Sequence, residues 1–177
     1  ASCTLKRIGR TAQTLEWLRE FNAPIWDQMM ERRKVPWDFY PEFLADHREL
    51  FDLHNWKSND VMAEGHVGEE YHRVCTEFDK LLAYYGYVRD GYRYRTDETT
   101  RQEAVVVCFC HLGITCALLS HLLNTTPSQL WQGFFLAPTS VTVIGTEERT
   151  PNEAYFRCQV MGDTSHLLLA GEPISYY

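Results

Sequence analysis

The apolar positions of this chain change period several times, and each change predicts an element. Residues 1–7 read as the end of a helix that Gly9 closes. Residues 13–19 alternate through Leu15, Trp17 and Leu18, which predicts a short strand with Glu20 at its carboxyl end. Residues 21–59 are aromatic and charged, and Pro24, Pro36 and Pro41 cut them into short pieces. Within that excursion residues 41–53 have helical spacing, with Phe43, Leu44, Leu50 and Phe51 on related faces. The excursion is either a lid-like insertion over a cleft or a packed connection.

After a turn at residues 65–68, residues 69–85 predict a helix whose apolar stripe is Val74, Phe78, Leu81 and Leu82. Glu69 and Glu70 sit in its first turn, where the helix dipole favours acids. Residues 87–95 predict a hairpin around Asp90-Gly91. Residues 103–110 are nearly all apolar and Val-rich, the pattern of a strand buried on both faces in the centre of an α/β sheet. A helix follows over residues 114–123. A second covers residues 126–132, with Thr126 as its cap and Pro127 in its first turn. Residues 140–146 and 154–160 alternate and predict an antiparallel hairpin across residues 147–152. The tail carries Asp163-Thr164-Ser165-His166.

Composition narrows the class. The 177 residues suffice for one domain with a real core, and 45% hydrophobic with 23% charged is ordinary for a soluble globular protein. A formal net charge of −7 argues against nucleic acid or an anionic membrane as partner, while leaving room for a local cationic pocket. No apolar run reaches the length of a membrane span. The six cysteines lack zinc or redox spacing, and they point to free thiols in a reducing, cytoplasmic setting. Cys108, Cys110 and Cys116 read as small buried hydrophobes. Neither a cofactor fingerprint nor a metal motif is present.

The candidate chemistry lies in Cys110-His111-Leu112-Gly113, where the predicted strand runs into a helix. Ligand crevices in open α/β sheets lie outside the carboxyl ends of strands. The stretch resembles the second histidine motif of the histidine phosphatase (phosphoglycerate mutase-like) superfamily, most strongly over residues 105–146. Leu18-Arg19-Glu20-Phe21 is similar to that family's acidic position. The resemblance implies a three-layer α/β/α fold with a mixed, mostly parallel sheet. It implies that His111 stabilises charge on a phosphoryl group, and that Glu20 protonates the leaving oxygen and later activates water. It places Cys110, Leu112 and Gly113 against the substrate. Glu69 of Gly68-Glu69 is either a helix-start acid or a substrate contact.

The family's nucleophile lies in an Arg-His-Gly motif on a first, central strand, and this sequence has no Arg-His-Gly. Arg7, Arg10 and Arg19 sit in no matching motif. The expectation is a truncated domain whose first third precedes Ala1, inactive alone, and completed by an upstream segment or a second copy. Its ligand would be a small phosphomonoester or inorganic phosphate. Two other readings stay open: a non-catalytic module that keeps half of the pocket and binds phosphorylated ligands or a protein, and an unrelated α/β domain.

Overall fold

The computed structural model describes residues 1–97 and 104–176. In chain order the elements are α1 (Ser2–Ile8), β1 (Ile25–Asp27), β2 (Arg32–Lys34), α2 (Pro41–Asp46), α3 (Asp60–Glu64) and α4 (Val67–Tyr84). There follow β3 (Tyr87–Asp90), β4 (Arg93–Thr96), α5 (Leu112–Leu123), α6 (Pro127–Gly133), β5 (Val141–Thr150), β6 (Glu153–Asp163) and α7 (Ser165–Ala170). The class is α/β.

The long helices form where the apolar stripes predict them. α4 buries Val67, Val74, Cys75 and Phe78, close to i, i+4 and i+7 spacing. α5 is buried along most of its length, through Ile114, Cys116, Ala117, Leu118, Leu119 and Leu122. α6 starts at a complete capping box. Thr126 Oγ1 accepts the Gln129 N–H at 3.2 Å, and the Gln129 side chain reaches back to the Thr126 N–H. Gly9 ends α1 in the left-handed region, at φ 62°.

β3, β4, β6 and β5 lie in that order in one sheet, and a two-stranded ribbon, β1–β2, stands apart. α4 packs on β3 and α5 on β6, so the two central helices and the sheet share the core. Tyr94 on β4 is buried there and meets Phe156 edge to face at 4.8 Å. A polar network ties the same elements together. Asp79 on α4 accepts from His121 Nε2 at 2.9 Å and from the Tyr94 hydroxyl at 3.1 Å. Arg89 on β3 donates to the His121 carbonyl at 2.8 Å and to Asn124 Oδ1 at 2.7 Å. Each partner satisfies another in a half-buried site, which fixes how α4, α5 and the hairpin meet.

Several expectations change. Residues 13–19 make no strand; Glu16–Leu18 is a single 3₁₀ turn. Trp17 and Leu18 both pack against the core from that turn, which a strand's alternation would not allow. Residues 104–110 form no strand either, and Glu103 lies outside the described residues. Val105 is 92% exposed and Val107 68% exposed. Val-rich composition reports β-propensity, but a strand exists only through a paired neighbour. Among the described residues every pairing is antiparallel, and none involves residues 104–110. Cys108 is accordingly exposed rather than buried, unlike Cys116.

Within the excursion, helix α2 stops at Asp46, and a 3₁₀ turn, Arg48–Phe51, completes the expected helical stretch. The β1–β2 hairpin was not predicted, since three-residue strands show too little alternation to register. Asp27 organises it. Its carboxylate accepts the Met29 and Met30 N–H groups across the turn and pairs with Lys34 at 2.9 Å.

Candidate functional site at the start of α5

The first N–H groups of a helix have no intrahelical acceptor and carry the positive end of its dipole. At α5 they are met from 93 residues away in sequence. Glu20 Oε1 accepts the Ile114 N–H at 2.9 Å, and Oε2 accepts that of Gly113 at 3.3 Å. Glu20 Oε1 also takes the Phe21 N–H at 2.7 Å. The carboxylate is half-buried and faces donors, the arrangement that suits an anion.

His111 is the N-cap residue of α5, with extended backbone (φ −121°, ψ 173°). Its carbonyl accepts the Thr115 N–H at 3.0 Å and the Thr115 hydroxyl at 2.6 Å. The helix start therefore fixes the backbone and leaves the residue exposed. Glu20 thus meets the helix two and three residues beyond His111. Cys110 Sγ lies 3.2 Å from Thr115 Oγ1. Burial pushes the Cys110 thiol up, against the Thr115 hydroxyl, which lowers it. Burial first, and the Glu20 charge second, push Cys116 up to about 12. Leu112 opens the helix and packs on the core.

Gly113 is the tightest point. A Cβ there would stand 2.3 Å from Trp37 Cη2 and 2.8 Å from Glu20 Oε1. Only glycine lets the indole and the carboxylate approach together. On the other side the Gly113 carbonyl accepts Trp131 Nε1–H at 2.9 Å. Trp131 meets Trp37 at 5.7 Å and Phe21 at 5.1 Å between centroids. Aromatic rings from residue 21, the excursion and α6 therefore wall the helix start.

The structure thus brings Glu20, Cys110, His111, Leu112 and Gly113 into one place. Trp37 and Trp131 were missed. The available signal was thin: a tryptophan set behind Pro36 in a charged run. Glu69 stays exposed on α4 and meets His66 at 3.4 Å; its own backbone N–H, then His66, hold its carboxyl below the usual range. Asp163 caps the start of α7 by accepting the Ser165 N–H and hydroxyl, and these hold its carboxyl low.

A family model described as the histidine phosphatase superfamily (branch 1) matches residues 1–159. No curated protein and no solved structure gives a significant match.

Proposed function

The chain belongs to the histidine phosphatase superfamily, branch 1, and from that membership we propose that it hydrolyses or transfers the phosphoryl group of a small phosphomonoester through a phosphohistidine. Membership supports a phosphatase- or mutase-like function in general, on a three-layer α/β/α fold. The finer reading rests on one observation: Glu20 and His111 converge on the amino end of α5, across helix N–H groups that suit an anion.

In this reading a phosphoryl group docks beside His111 and takes up the donors of the helix start. The long Gly113 contact yields first, and the dianion repels the carboxylate off the amides. Glu20 takes up a proton from solvent as it leaves the amides, a histidine nitrogen attacks phosphorus, and the leaving oxygen departs with that proton. Water then attacks the phosphohistidine as Glu20 takes its proton. His111 donates to the phosphoryl oxygens as charge builds. Cys110, Leu112 and Gly113 line the pocket, with Trp37 of the excursion as its cover.

The nucleophile comes from outside residues 1–177, since no Arg-His-Gly occurs in them. Val105 and Val107, exposed and without a strand partner among the described residues, support a further strand pairing there, from an upstream segment or a second copy. Six free thiols accord with a cytoplasmic setting. Among the described residues no helix is long and apolar enough to cross a membrane.

The test joins an upstream Arg-His-Gly segment to the chain and measures turnover of p-nitrophenyl phosphate. His111→Ala should lower kcat by roughly 10²- to 10³-fold, as for other lost charge-stabilising donors. Near-normal turnover in that variant would sink the assignment. Glu20→Gln should slow alkyl phosphates more than aryl phosphates, and equal slowing argues against an acid role.

The hydrogen bonds that occupy the Glu20 carboxylate favour a second reading, a non-catalytic module that binds phosphorylated ligands at the same pocket. Lasting inactivity of the joined protein, with phosphate binding retained, would select it.

A further inference from the structure

At its carboxyl end, about 18 Å along the helix axis from His111, α5 borders a separate cavity of about 270 Å³. α4, the loop around Trp56 and the β3–β4 hairpin supply its other walls. Its two fully charged lining groups are Lys57 and Arg89, and no carboxylate lines it. In a chain of net charge −7 that is a selective cationic surface. Of the acids of α4, Glu70 pairs with Arg73, Glu77 with Lys80 and Glu69 with His66, while Asp79 holds the lining residue His121.

Both cations are held in place. Arg89 is anchored on Tyr94, the His121 carbonyl and Asn124 through three of its N–H groups. A guanidinium has five, so two have no partner among the described residues. The carbon stem of Lys57 lies against α4 at Gly68, where a Cβ would stand 3.1 Å from Lys57 Cβ. Glycine at that position lets the lysine lie flat beside the cavity.

Trp56, Tyr71 and Tyr92 line the rest together with polar groups, among them Ser120, Asn124 and Thr125. Trp56 is buried and meets Tyr71 edge to face at 5.1 Å. Tyr92 stands exposed at the turn of the hairpin. The volume lies below the roughly 300–1,000 Å³ of sites for larger ligands, so it admits one ring with one charged group.

We infer that this cavity binds a small aromatic carboxylate, with its ring against Tyr71 and Tyr92 and its carboxylate on Lys57 and Arg89. The charged head meets a fixed fork and a lysine, and the flat body replaces water on aromatic faces.

The test is calorimetry on the 177-residue chain with benzoate, benzamide and acetate as probes. Benzoate should bind at one saturable site, with benzamide and acetate each roughly ten-fold or more weaker. Lys57→Met should weaken benzoate by about five-fold or more, while His111→Ala should leave its Kd unchanged. Lys57 is exposed, so its replacement leaves the core intact. Absence of saturable benzoate binding, equal binding of benzamide, or binding lost with His111 and kept without Lys57 would each overturn the inference.

Discussion

Gly113→Ala separates local helix preference from packing at the start of α5. On propensity alone, alanine in place of a helical glycine is worth about 1 kcal/mol of added stability. The site opposes it. The new methyl would lie 2.3 and 2.5 Å from two carbons of the Trp37 indole, more than about 1 Å inside ordinary carbon contact. Trp37 must swing out or the helix start must shift, at a cost of about 1–3 kcal/mol for overpacking. The overlap is with a rigid ring, which places the cost in the upper half of that range and the net loss at about 1–2 kcal/mol. Urea unfolding should show this as a midpoint lower by about 0.5–1 M for a slope near 2 kcal/mol/M. Trp37→Leu removes the ring and leaves the contact with Glu20 Oε1 at 2.8 Å, so in that background Gly113→Ala should cost clearly less than in the parent. The reasoning is refuted if the alanine raises the midpoint in the parent, or if the two changes add within about 0.5 kcal/mol.

Thr126→Ala should cost about 1 kcal/mol by breaking the capping box of α6, read as a lower unfolding midpoint. Asp27 is held below the usual carboxylate range by its hydrogen bond from Lys34 first. A lowered folded value means this contribution is full above the unfolded pKa of about 3.9 and is lost as pH falls through the folded value. Asp27→Asn should therefore flatten the fall in stability between pH 5 and 2 while lowering it near neutrality; an unchanged acid slope counts against the pairing. Burial pushes the Cys75 and Cys116 thiols up to about 12. In the folded chain both should stay unlabelled by a disulfide reagent while exposed Cys3 reacts, and labelling of all six thiols at one rate would contradict that packing.

Elements that carry their own signal were legible. The stripe of α4, the capped start of α6, the Asp90-Gly91 turn and the long β5–β6 hairpin all follow from period and turn chemistry, which act within a few residues. Elements that depend on a distant partner were not. Residues 104–110 have strand composition and no paired neighbour among the described residues, so propensity had nothing to act on. Residues 13–19 spaced their apolar side chains for a strand, yet Glu16–Leu18 form a turn from which Trp17 packs on Phe78 of α4, a partner about 60 residues away in sequence. At the site, His111, Gly113 and Glu20 could be picked out by resemblance to a family. What holds them could not. The Glu20 contacts span 93 and 94 residues, and Trp37 reaches Gly113 from an excursion whose short pieces carry no period.

The most direct test of the central claim is a thermal melt with and without orthovanadate, on this chain and on His111→Ala. Vanadate mimics the phosphoryl group, and a ligand that binds only the folded state raises stability by about 2.7 kcal/mol at a hundred times its Kd. A phosphate pocket at the amino end of α5 predicts a raised melting temperature in the parent and a much smaller rise without His111. No rise in the parent, or an equal rise in both proteins, would contradict it.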